Sequence, residues 1–185
     1  MKKIILLLLI AVSQIASAQQ KSVMLKLRTF NSATHKVNSS IAADAIKIAN
    51  MVLNSQEFRD SLNKYSFMCE NYGEACTSKK IKGSVVLDST YRVETFELDL
   101  IMKKCSHEYG HAEEDKHYIQ SCYKKLRNDD DDLPFSYIYA YHICHEYMHI
   151  VGYYHTDHKD DVAERVGWIA YHILDRWFKE KRNLN

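Results

Sequence analysis

The sequence predicts a single α+β domain, and three patterns of apolar residues carry that reading. Two segments alternate with the period of a strand and two repeat with the period of a helix. A third kind of stretch, Pro134 to Val151, is apolar almost throughout, as expected of a helix buried on all sides. The 185 residues suit one domain of ordinary size with a proper core.

The N-terminus is set aside first. Lys2-Lys3 is a basic n-region, Ile4–Val12 a nine-residue apolar h-region and Ala16-Ser17-Ala18 an A-x-A cleavage site, so residues 1–18 read as a signal peptide. Nine residues are too few for a span, which needs about 20. No cysteine follows the cleavage point, so a lipid anchor is not expected. Residues 19–185 are then the mature domain, secreted or periplasmic, and a monomer is expected. Without Lys2 and Lys3, 23 basic residues face 24 acidic ones, a net charge of −1. That balance lacks the basic footprint of a nucleic-acid binder.

Val23–Phe30 is the first strand, with Val23, Leu25, Leu27 and Thr29 on one face. Ser39 or Ser40 can cap a long helix to about Tyr65, whose buried side runs through Ile41, Ala45, Ile48, Val52, Leu53, Phe58 and Leu62. Residues 69–83 are loop-like, and Val85–Leu87 reads as a strand. Val93–Lys103 is a stronger one, with Phe96, Leu98, Leu100 and Met102 set against Glu97, Asp99 and Ile101. His117–Gln120 is a short strand candidate. Asn128–Asp132 is a polar break whose acids suit the positive end of the following helix, with Ca²⁺ binding as the sharper alternative. Pro134 fits that helix's first turn. A last helix starts at Asp160 or Asp161, its apolar side marked by Val162, Val166, Ile169, Ala170, Ile173, Trp177 and Phe178.

Five cysteines, Cys69, Cys76, Cys105, Cys122 and Cys144, leave at least one thiol unpaired in a monomer. Cys69 and Cys76 bracket one polar loop, Cys105 and Cys122 another. In an exported chain disulfides are expected, with Cys144 as the packed free thiol. All thiols free is the alternative.

Residues 145–155 carry the chemistry: His145, Glu146, His149, Gly152 and His155 fit H-E-x-x-H-x-x-G-x-x-H. Four residues apart on a helix, His145 and His149 project from one face and can share an ion. Glu146 is turned by about 100° from His145, near a metal-held water without being a ligand. Gly152 can take φ > 0 and end the helix, letting His155 return as third ligand. With 10 His and 5 Gly in the chain, a chance match to all five positions arises in roughly one chain in ten thousand. A buried helix with polar groups His142, His145, Glu146 and His149 needs something to offset their desolvation, and a metal ion does so.

That motif, with the order strand, helix, strands, buried helix, turn and C-terminal helix, resembles the metzincin metallopeptidases. The motif match covers eleven residues and the topological likeness most of the mature chain. It is also similar to small, uncharacterised bacterial proteins read as secreted metallopeptidases. The resemblance implies a twisted mixed sheet backed by a long helix. It implies one Zn²⁺ on His145, His149 and His155, and an endopeptidase in which Glu146 is general base toward a zinc-bound water. A peptide or protein substrate would lie along an edge strand, for which Lys116–Gln120 is the equivalent segment. Two features depart from the family: no Met follows Met148 to form a Met-turn, and only about 20 residues separate the signal site from the core, too few for an inhibitory pro-segment. The alternative is a catalytically inactive metal-binding or interaction protein that keeps the site.

His107, Glu108, His111 and His117 repeat H-E-x-x-H with a third histidine at the same offset, but Glu114 stands where the glycine should be. Cys105–Lys116 has almost no apolar residues, so it reads as a polar connection with solvated histidines, a second metal site being the alternative. His142 reads as a core histidine, or else as a group supporting the ligands. His158 reads as a loop residue, His172 as a helix-surface residue, and Tyr153 and Tyr154 as wall or assisting groups. Asp157 is a candidate partner of the third ligand. Glu164 is a substitute ligand that His155 makes unnecessary.

Overall fold

Asn50 and Asn54 show how the first strand is held. The computed structural model describes residues 20–68, 80–105, 107–127, 133–155 and 161–180. Its elements are β1 (Met24–Ser32), α1 (Ser39–Leu53), α2 (Gln56–Leu62), β2 (Ser66–Met68), β3 (Lys80–Lys82), α3 (Gly83–Thr90) and β4 (Thr95–Lys103). They continue with β5 (Gly110–His111), β6 (Tyr118–Cys122), α4 (Tyr123–Arg127), α5 (Phe135–Ile150) and α6 (Val162–Lys179). β1 is an edge strand, and an edge exposes unpaired backbone groups. Here the Asn50 side chain takes the N–H of Leu25 at 2.8 Å and donates to its carbonyl at 2.8 Å, and Asn54 does the same for Val23 at 3.0 and 2.7 Å. Two amides, one in the last turn of α1 and one at its C-cap, thus stand in for a neighbouring strand.

The fold is α+β. Its main sheet has four strands in the order β1-β4-β6-β5, with β1, β4 and β6 parallel and β5 antiparallel to β6. β2 and β3 form a separate antiparallel pair. Leu98, Leu100 and Met102 of β4 are buried, the face its alternation predicts. α5 lies against α1 and α6, and the buried residues of all three join one core cluster.

Several expectations need correction. The long helix is two, α1 and α2, broken where Asn54 turns to β1 and Ser55 caps the second with its hydroxyl 3.1 Å from Phe58 N. Asn38, rather than Ser39 or Ser40, caps α1 by accepting from Ile41 N. Val85–Leu87 is helical, with Val86 and Leu87 buried and Val85 exposed. Residues 80–82, within the segment read as loop, pair with β2. The strand near His117 runs from Tyr118 to Cys122 rather than from His117 to Gln120, and β5 pairs only with its Gln120 and Ser121, leaving 116–119 without a strand on that side among the described residues. Phe178 is 39% exposed although its helix face is otherwise buried. A disulfide joins Cys105 to Cys122, and Cys144 is a buried free thiol. The signal segment, Cys69, Cys76, Asn128–Asp132, Asp157 and His158 lie outside the described residues. Among the described residues, no helix is long and apolar enough to cross a membrane.

Candidate metal centre and its pocket

α5 presents His145 and His149 one turn apart, and its C-terminus determines where His155 goes. The end is a Schellman motif: Tyr153 N–H donates to Met148 O at 2.9 Å and Gly152 N–H to His149 O at 3.0 Å. Gly152 sits at φ +98°, a conformation open to glycine and strained for other residues. The chain reverses there, and one ring nitrogen from each of His145, His149 and His155 falls within 4.8 Å of the others.

The outward nitrogens are tied down. His149 Nδ1 lies 2.6 Å from the carbonyl of Tyr153, and His155 Nδ1 lies 2.8 Å from Asp161 Oδ2. His145 hydrogen-bonds the backbone of Ala163. A carbonyl and a carboxylate only accept, so His149 and His155 carry their proton on Nδ1. Their Nε2 atoms then face each other, 3.2 Å apart, each with a lone pair. Two lone pairs at that distance repel unless a cation lies between them, either a proton on one ring or a metal ion shared with His145. Imidazoles whose second nitrogen donates to a carboxylate or carbonyl are the usual ligand arrangement. The donor set fits a zinc ion with an open coordination position.

Burial holds His145 and His149 below the ordinary histidine range, which favours the neutral, ligating form. The Asp161 carboxylate raises His155. Glu146 is buried, and its Oε2 has no hydrogen-bond partner among the described residues. Loss of hydration pushes its pKa up to about 8, and a dication at the triad opposes that shift. His142, also buried, places Nε2 3.1 Å from Ser121 Oγ and 3.6 Å from Glu146 Oε1, and burial lowers its pKa to about 3. It is a core histidine that also abuts the Glu146 carboxylate.

β5 closes over this carboxylate. A Cβ at Gly110 would stand 2.4 Å from His142 Nε2 and 2.7 Å from Glu146 Oε1. On the other side, a Cβ at Gly167 of α6 would stand 3.2 Å from His145 Cβ. Between them lies a cavity of about 710 Å³, lined by Glu146, His145 and His155 on one side and by Glu108, Glu164 and Trp168 among others.

The structure brings together His145, Glu146, His149 and His155, with Gly152 at the turn. It does not bring together His107, His111 and His117. His107 is exposed, His111 Nε2 lies 3.1 Å from Glu113, and His117 stacks on Phe96 with centroids 4.5 Å apart. Tyr153 is buried, with its hydroxyl donating to Ser89 Oγ, while Tyr154 is exposed and its hydroxyl donates to Glu114. His172 is exposed and stacks on Trp168. Asp161, Gly110 and Gly167 were not foreseen as site residues. A glycine inside a strongly periodic helix is the signal that would have marked Gly167 as a close approach. Comparison with protein-family models, curated proteins and solved structures finds no match to this chain.

Proposed function

We propose that this protein is a zinc-dependent endopeptidase of the metzincin kind, exported from the cell. The observation that carries the reading is the 3.2 Å approach of the His149 and His155 Nε2 lone pairs beside His145, with Nδ1 of both rings committed elsewhere. Zinc on the triad supplies Lewis acidity toward a scissile carbonyl and lowers the pKa of water.

The chain's own residues supply the rest. Tyr153 O, Asp161 and the Ala163 backbone orient the rings so that their second nitrogens converge. Glu146 receives the proton of the attacking water and delivers it to the leaving amine, acting as base and then acid. Gly110 lets β5 cover Glu146 without contact from a side chain, which keeps bulk water from its carboxylate. The absence of a methionine after Met148 separates this chain from the family pattern; Tyr153, fully buried after the turn, fills space beside the helix end.

Purified zinc-loaded protein, tested on an unfolded protein substrate, is expected to cleave it, to stop when a chelator removes the metal and to resume when Zn²⁺ is returned. One zinc per chain without cleavage of any substrate would favour an inactive metal-binding protein. No bound metal would end both readings.

A further inference from the structure

The pocket beside the triad carries several carboxylates on its walls. Among the described residues, the lining includes Glu108, Glu146 and Glu164 but no lysine or arginine. Even with a dication on the triad, the three carboxylates leave a formal charge of −1. Glu108 lies in the connection between β4 and β5, whereas Glu164 lies on α6. Glu108 is held by the Cys105–Cys122 disulfide and by the 2.8 Å bond from Cys122 N to Tyr109 O. His107 Nε2 lies 3.6 Å from its carboxylate, and Lys125 lies over the Tyr109 ring at 4.6 Å. Glu164 sits on the first turn of α6 and forms no ion pair among the described residues.

The rest of the wall is aromatic. Tyr141 meets Tyr171 edge to face at 5.5 Å, and Tyr171 meets Trp168 at 5.9 Å. Trp168 is 54% exposed, unusual for tryptophan on a helix whose other face is buried. Carboxylates beside aromatic faces attract organic cations, because the ring quadrupole and the anions act in the same direction. Glu146, whose buried Oε2 has no hydrogen-bond partner among the described residues, is one of the residues lining the same cavity.

We propose that this cavity selects a lysine or arginine side chain of the substrate, with Glu108 and Glu164 as the specificity-determining residues and Trp168 and Tyr171 as the wall that packs along it. The assignment rests on reading the triad and Glu146 as a peptidase site. A guanidinium or ammonium fits the charge, and its aliphatic stem fits the rings.

The test uses zinc-loaded full-length protein and N-acetylated, C-amidated peptides, so that only a side chain supplies the cation. Peptides differ at one position flanking the scissile bond: lysine against norleucine, arginine against citrulline. The cationic member is expected to have the higher kcat/KM by about tenfold, the size of one favourable cation contact. Glu108→Gln and Glu164→Gln should each narrow that ratio. Because it is taken within one variant, a smaller folded fraction does not alter it. In parallel, butylguanidinium and its neutral isostere butylurea are titrated while Trp168 emission is followed. Tighter binding of butylguanidinium, reduced in Glu164→Gln, supports the cation site even if no peptide is cleaved, and in that case only the peptidase reading falls. Cleavage with equal or lower rates for the cationic peptides, or equal binding of the two probes, overturns the cation site and leaves the peptidase reading standing.

Discussion

Two segments of this chain carry H-E-x-x-H followed by a histidine at the same offset, and they occupy opposite environments. The segment from His145 lies on α5, where Ile143, Tyr147, Met148 and Ile150 are buried around the ligand stripe. The segment from His107 leaves β4, contributes only Gly110 and His111 to the sheet and returns as β6. At the salt-bridge contacts, the side chains of His142 and Glu146 are each 4% exposed, against 77% and 42% for His107 and Glu108. The spacing is shared; the apolar residues that would bury a helix are not. Without them the histidines separate, one to Glu113 and one to Phe96. The second segment still contributes, since Gly110 covers Glu146 and Glu108 lines its pocket. Ligand spacing acts only where the surrounding sequence forces one backbone geometry.

The largest expected effect breaks the first segment and spares the second. His149→Ala should lower zinc affinity by more than the factor of about 10 to 100 that loss of a supporting partner costs. His107→Ala with His111→Ala should leave one tightly held zinc. Competition with a chromophoric chelator measures both. Retention of zinc by His149→Ala, with its loss in the double variant, would exchange the roles of the two segments.

A smaller effect is expected at Asp161, whose two oxygens divide the work: Oδ2 meets His155 Nδ1 and Oδ1 accepts from Glu164 N at 2.7 Å. Asp161→Asn keeps an acceptor for the cap and loses the anion facing the ring. Zinc affinity should fall by about 10- to 100-fold with the helix intact. Unchanged affinity would remove Asp161 from the site.

Gly152→Ala should act on stability first. At φ +98° the substitution is strained, and its Cβ would lie 2.9 Å from Glu114 Oε1. A loss of about 1–3 kcal/mol is expected, read as a lower unfolding midpoint of the metal-free protein. An unchanged midpoint would show that the turn does not need a glycine.

Much of this arrangement was legible from residues. The alternation of Leu98, Leu100 and Met102 marks β4, and the apolar run to Val151 marks α5. Gly152 marks the reversal that returns His155. Other features depend on partners distant in sequence. Val85-Val86-Leu87 is too short a run to separate strand from helix, and packing decided for α3. Asn54 ends α1 because Val23 needs hydrogen bonds, which no local pattern reveals. Asp160 or Asp161 was legible as the start of α6, yet the contact of Asp161 Oδ2 with His155 forms only after the chain has turned.

The central claim is that Glu146 moves protons beside a metal held by three histidines, and Glu146→Gln tests it most directly. The amide nearly keeps the carboxylate's shape but cannot take the water's proton at neutral pH. Zinc content should stay near one per chain, measured by elemental analysis. Cleavage of an unfolded protein substrate should fall by the factor of about 10² to 10⁴ that a positioned general base contributes. A Glu146→Gln protein that holds zinc and cleaves as fast as the unaltered chain would contradict the account.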